Sequence, residues 1–153
     1  MKRLELLLPP PVIALISGLI MWLVARLVPS MTVEWLYQPG IAALLVLLGL
    51  VVGLIGIAAF IRSKTTGNPK QPSKTTKLVR SGIYRFSRNP MYLGMLLMLI
   101  AWGMYLNNIA SMICIFIYII LITRLQIMPE ERILEEKFGE EYRSYKRKVR
   151  RWL

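Results

Sequence analysis

Two short stretches of this sequence carry side chains able to bind and orient a charged, partly aromatic ligand. The first reads Leu78-Val79-Arg80-Ser81-Gly82-Ile83-Tyr84-Arg85-Phe86-Ser87-Arg88-Asn89-Pro90-Met91-Tyr92-Leu93-Gly94, and the second is Arg124 followed by Glu130 and Glu131. Between them they offer a glycine for close backbone approach, tyrosines for stacking, a helix N-terminus for an anionic group and carboxylates for a cationic one. Each part also has a plain structural use. Arg85 and Arg88 suit anchoring at a membrane surface, Asn89-Pro90 a helix cap, Tyr84 and Tyr92 an interfacial belt, and Glu130-Glu131 the positive end of a helix dipole. Arg124 is harder to explain this way, because it follows a long apolar run and a cation near membrane depth is costly unless it snorkels to the interface.

The elements that must position these residues are apolar helices. Hydrophobic residues make up 56% of the 153-residue chain, above the roughly one-half of an ordinary soluble domain. They fall in blocks that predict an all-α, polytopic membrane protein of four transmembrane helices, at about 10–28, 40–61, 90–106 and 109–127, followed by an amphipathic cytoplasmic helix. We read residues 1–153 as one domain, with a loop at 62–89 and a tail at 129–153. Lys2 and Arg3 resemble the start of a signal peptide, but the apolar run is too long and no small-residue cleavage site follows it, so the first block is expected to remain as an anchor.

Charge sets the expected orientation. Arg62, Lys64, Lys70, Lys74, Lys77, Arg80, Arg85 and Arg88 lie between the second and third blocks without one acidic residue, and most other basic residues lie before the first block or after the fourth. The connections at 28–39 and 107–108 contain no Lys or Arg. Both chain ends and the long loop are therefore expected in the cytoplasm, with Trp35, Tyr37, Trp102 and Tyr105 at the outer interface. The net charge of +12 reports this topology and leaves no basic face for nucleic acid. With no histidine and a single cysteine, Cys114, inside an apolar run, an intrachain disulfide is excluded, a metal or haem centre is not expected, and Cys114 reads as a core residue.

Local signals refine the helices. Gly49 and Gly53 have the spacing of a small-residue contact between helices in lipid. Gly67-Asn68-Pro69 marks a turn in the long loop. The two-residue connection Asn107-Asn108 predicts an antiparallel hairpin, and Asn89 with Pro90 predicts a capped helix start. Pro129 reads as a second helix start. Leu134, Phe138, Tyr142, Tyr145, Val149 and Trp152 then recur every three or four residues as one apolar stripe, which Gly139 interrupts.

At this point the residues resemble the integral-membrane methyltransferases that include isoprenylcysteine carboxyl methyltransferase and the phospholipid N-methyltransferases. The pattern Leu-Val-x-x-Gly-x-Tyr stands here at Leu78 to Tyr84, Arg-His-Pro-x-Tyr-x-Gly at Arg88 to Gly94 with Asn89 for the histidine, and the Glu-Glu…Phe-Gly-x-x-Tyr-x-x-Tyr tail at Glu130 to Tyr145. The resemblance implies S-adenosylmethionine as cofactor, held by Lys77, Leu78, Val79, Gly82, Tyr84, Arg88, Asn89, Tyr92, Glu130 and Glu131. Arg124 and Glu131 would be the catalytic residues, and a lipophilic or membrane-associated acceptor the partner. Asn89 can still donate a hydrogen bond to a carboxylate, but it cannot shuttle a proton near neutral pH.

The expected chemistry is an in-line methyl displacement, in which the protein holds donor and acceptor in geometry and compensates charge. Glu131, helped by Glu130, is expected at the cationic end of the cofactor, Asn89 and the helix start at its carboxylate, and Arg124 at an anionic acceptor. The expected setting is a prokaryotic inner membrane. Two other readings stand beside it: a nicotinamide-dependent reductase of the steroid and sterol type, and a non-enzymatic accessory membrane subunit.

Overall fold

The computed structural model describes residues 5–34, 37–63 and 76–153. Trp35, the basic residues Lys2, Arg3, Lys64, Lys70 and Lys74, and the Gly67-Asn68-Pro69 turn lie outside them. Six α-helices follow in order: α1 (Pro10–Leu27), α2 (Gln38–Arg62), α3 (Pro90–Tyr105), α4 (Ile109–Ile122), α5 (Met128–Phe138) and α6 (Glu140–Lys148). Among the described residues there is no strand, only an isolated bridge between Thr32 and Asn108.

Proline starts most of the long helices and stops the first. Pro10, Pro39 and Pro90 fall in the first turns of α1, α2 and α3, where a missing N–H costs nothing. Val28, ahead of Pro29, leaves helical geometry at φ −124°, ψ 62° and ends α1. The expected side-chain cap at Asn89 is not formed. Its amide is turned away from the helix to Arg151, and the first turn of α3 relies on Pro90 instead. The capping asparagine is Asn108: its Oδ1 accepts from Ser111 N at 3.0 Å while its Nδ2 donates to Val28 O at 2.7 Å. Asn107 takes φ +56°, a left-handed geometry that asparagine tolerates, and so closes the α3–α4 hairpin.

The helix after α4 does not restart at Pro129. A π-helical turn over Thr123–Ile127 joins α4 to α5, so that Ile109–Phe138 is one helical run. Pro129 has no N–H to offer the carbonyl four residues back, that of Leu125. Leu6 N supplies the missing donor at 2.9 Å, and Gln126 Nε2 donates to Leu8 O at 2.7 Å beside it. A segment distant in sequence thus satisfies the backbone group that proline orphans.

Three of these elements are long and apolar enough to cross a membrane: Pro10–Leu27, Gln38–Arg62 and Ile109–Phe138. Pro90–Tyr105 is apolar but shorter. The last run is roughly 45 Å long at 1.5 Å per residue, against roughly 30 Å of hydrocarbon, so its final turns project beyond the apolar layer. Leu15, Leu44, Leu54 and Phe116 point outward and are more than half exposed, which suits contact with lipid chains.

α3 is the centre of the packing, with α2 on one side and α1 and α4 on the other. Lipid chains are as apolar as leucine, so close van der Waals approach rather than hydrophobic burial holds α2 to α3. Gly49 and Gly94 allow it: a Cβ on Gly49 would lie 2.7 Å from Gly94 O, and one on Gly94 3.0 Å from Gly53 N. On the other side Met21, Leu99, Ile115, Tyr118 and Ile122 form the buried core, and Cys114 lies within it. Trp102 donates to Gly18 O at 3.0 Å and stacks on Tyr105, tying α3 to α1.

Candidate functional site

The segment 76–89 lies beside the C-terminal end of α2 and leads into α3. Gly82, at φ +61°, turns the chain into a short 3₁₀ helix, Gly82–Arg85, which swings Tyr84 inward. Tyr84 is 4% exposed, meets Phe60 of α2 edge to face at 5.4 Å, and its carbonyl accepts from Tyr145 Oη at 2.7 Å. Burial raises the phenol pKa of Tyr84, with Tyr145 and Glu130 adding to the rise, so it stays a neutral donor. Val79 is buried as well, while Leu78 packs with Leu134 and Phe138 around Tyr142, Tyr145 and Val149.

Arg88 and Glu131 form the charged heart of the site. Arg88 Nη2 lies 3.1 Å from Glu131 Oε1, and both side chains are only 9% exposed. Arg151 closes on the same carboxylate with two bonds, Nε to Oε1 at 3.1 Å and Nη2 to Oε2 at 2.7 Å. This contact with Glu131 raises the guanidinium pKa of Arg151. Two cations thus share one carboxylate. Arg88 Nε and Nη1 are buried without a partner among the described residues, a costly arrangement that an anion would relieve.

Next to this pair, Tyr92 Oη donates to Glu130 Oε1. The two meet because Tyr92 lies on the first turn of α3 and Glu130 on the first turn of α5, where both helices emerge at the same level. Tyr118, fully buried in the same core cluster as Tyr92, has no hydrogen-bond partner for its hydroxyl among the described residues. Tyr142 is 3% exposed, and burial, followed by the charge of Glu131, raises its pKa.

The structure therefore brings together Tyr84, Arg88, Asn89, Tyr92, Glu130 and Glu131 from the sequence-derived set. It leaves Arg124 apart: the side chain is exposed on the π-helical turn, with no hydrogen bond or ion pair among the described residues. Lys77 and Gly82 are exposed at the rim. Asn89 does not face a free pocket, because its Nδ2 donates to Arg151 O at 2.9 Å. Arg151, Ser87 and Tyr118 escaped the sequence reading. Ser87 is 1% exposed and accepts from Asn89 N at 3.1 Å, and neither it nor Arg151 has a spacing signal that links it to Glu131.

Helices long enough to cross a membrane come together around a buried Arg–Glu pair and a Tyr–Glu pair at one end. The model of the phospholipid methyltransferase family matches residues 37–141, and the chain belongs to that family of membrane methyltransferases. An uncharacterized protein of Haemophilus influenzae is 52% identical over 63 residues, which are 41% of this chain and the whole of that protein. No solved structure matches the chain.

Proposed function

We propose that this protein transfers a methyl group from S-adenosylmethionine to a lipophilic acceptor at the positively charged face of a bacterial inner membrane. Family membership supports methyl transfer, and the observation that supports this cofactor is Arg88, whose buried Nε and Nη1 have no partner among the described residues and would be satisfied by an anion such as a carboxylate. When bound, the cofactor supplies an electrophilic methyl group, so no metal or histidine base is required of the chain. In this reading the chain acts as one domain, and Pro90–Tyr105 spans the bilayer together with the three longer elements, giving four spans with the 62–89 loop and the residues beyond 128 in the cytoplasm.

The residues then divide the work. Arg88 holds the carboxylate end, with Asn89 and the start of α3 beside it. Glu130 and Glu131 provide negative charge for the cationic end. Tyr84, Tyr92, Val79 and Leu78, with Gly82 and Lys77 at the rim, line the remainder and exclude water. Arg124, exposed at the edge of the apolar layer, orients an anionic group on the acceptor, whose chains stay in lipid.

Calorimetry on the protein in nanodiscs tests this. S-adenosylmethionine and S-adenosylhomocysteine are expected to bind saturably, and Arg88→Leu to weaken binding at least about tenfold, a loss of about 1.4 kcal/mol. A reduced nicotinamide cofactor is expected not to bind. Absence of binding by both sulfur compounds to the folded wild-type protein overturns the reading.

A further inference from the structure

The residues that follow α6 occupy the charged site themselves. Val149 leaves the helix in extended geometry, φ −122° and ψ 131°, and the chain then runs back along the entry to α3. Arg88 N donates to Arg150 O at 3.1 Å, Asn89 Nδ2 donates to Arg151 O at 2.9 Å, and Ser87 Oγ lies 3.5 Å from the same carbonyl. The Arg151 guanidinium takes both oxygens of Glu131, and Trp152 packs on the core cluster that contains Tyr92. One short segment thus engages the residues proposed above for both charged ends of the cofactor.

We propose that Arg151 is a built-in competitor for the cofactor: the segment 149–152 is a strap whose Arg151 pairs with Glu131 and is displaced from it when the cofactor binds. The proposal rests on the functional reading above. Its physical basis is an asymmetry between the two arginines on Glu131. Arg88 is enclosed, with 9% of its side chain exposed, and comes from the entry to α3. Arg151 is 35% exposed, and its segment is joined to α5 through Gly139, whose φ of +52° makes a sharp bend with open space around it. The Arg88–Glu131 pair is therefore the fixed element, and Arg151 the partner that a different cation can replace. The other ties of the arm include the cluster of Tyr142, Tyr145 and Val149, the Tyr145–Tyr84 hydrogen bond, the Lys146–Glu135 ion pair at 2.9 Å and the exposed Arg80–Glu141 ion pair at 3.0 Å. These ion pairs are partly exposed and weak.

Spin labels at the exposed positions Phe86 and Leu153, introduced as cysteines with Cys114→Ser, report the position of the strap by their separation. In the wild-type background without cofactor the separation is expected to be short and narrow, and to lengthen at saturating S-adenosylhomocysteine. Arg151→Ala is expected to show the long separation without any addition and, by calorimetry, to bind S-adenosylhomocysteine at least about tenfold more tightly. Arg151→Lys, which keeps the charge and loses the two-pronged fork, is expected between the two. Weaker or unchanged binding by Arg151→Ala, or a separation that stays fixed at saturation, overturns the strap and leaves the methyltransferase reading intact, with Arg151 a fixed part of the pocket. Absence of binding by both wild type and Arg151→Ala overturns the functional reading and the competition with it.

Discussion

A methyl group on Gly94 would stand 2.5 Å from the carbonyl oxygen of Gly49, so α2 and α3 touch backbone to backbone at this level. The contact sets where the start of α3, and hence Arg88 and Tyr92, sits relative to α2. Gly94→Ala is therefore expected to destabilise the protein by about 1–3 kcal/mol through overpacking. Gly53→Ala is the matched control, since its added Cβ meets nothing within 4 Å, and it is expected to be neutral or slightly stabilising. Thermal denaturation in detergent compares the two, and equal melting temperatures would remove the contact from the account.

Gly139 provides the bend between α5 and α6 at φ +52°, ψ −124°, a geometry closed to residues with a Cβ. Gly139→Ala is expected to cost about 1–3 kcal/mol even though no atom blocks the new methyl group. Chemical denaturation followed by circular dichroism measures the loss. A variant as stable as wild type would show that the bend is not required.

The Tyr145 hydroxyl donates to the Tyr84 carbonyl inside the fold. Tyr145→Phe retains the ring and removes the donor, and is expected to cost about 1 kcal/mol and to free α6 from the 82–85 turn. Hydrogen exchange of the α6 amides, faster in the variant than in wild type, is the expected signature. Unchanged exchange would assign the hold on α6 to the apolar cluster alone.

Acid should loosen the same arm. Lys146 Nζ lies 2.9 Å from Glu135 Oε2 across the bend, and this hydrogen bond, ahead of the other influences on the carboxyl, lowers its pKa. A carboxyl with a depressed folded pKa contributes stability above its unfolded value, near 4.5, and loses it as pH falls through the lower folded value. Glu140, lowered by Arg147, acts in the same direction. Protease susceptibility of the Gly139 bend is therefore expected to rise below about pH 4.5 in wild type. In Glu135→Gln susceptibility should already be higher at neutral pH and rise less on acidification. Identical profiles for the two proteins would exclude this pair as a tie.

Much of the architecture was legible in the sequence because the signals that carry it are local. An apolar block and a proline in a first turn each report on a few neighbouring residues, and so 10–27 and the start of α3 could be read directly. Of the glycine pair, Gly49 meets α3 as expected, whereas a Cβ on Gly53 would meet nothing within 4 Å and Gly56 makes the second close approach. The pairing of Tyr92 with Glu130 was anticipated as a shared region, since both clusters flank apolar helices on the basic side. What needed the folded chain was the identity of each partner. Pro129 resembles a helix start until Leu6 arrives to satisfy the Leu125 carbonyl, and then the helix runs through it. Asn89 resembles a cap, but in the folded chain its Nδ2 donates to the Arg151 carbonyl and its side chain caps no helix N–H. Arg151, one cation in a run of basic residues, acquires its role only when the bend at Gly139 brings it onto Glu131. Hydropathy and turn chemistry are properties of short windows, whereas a buried ion pair depends on which distant groups arrive together and on whether each donor and acceptor taken from water finds its match.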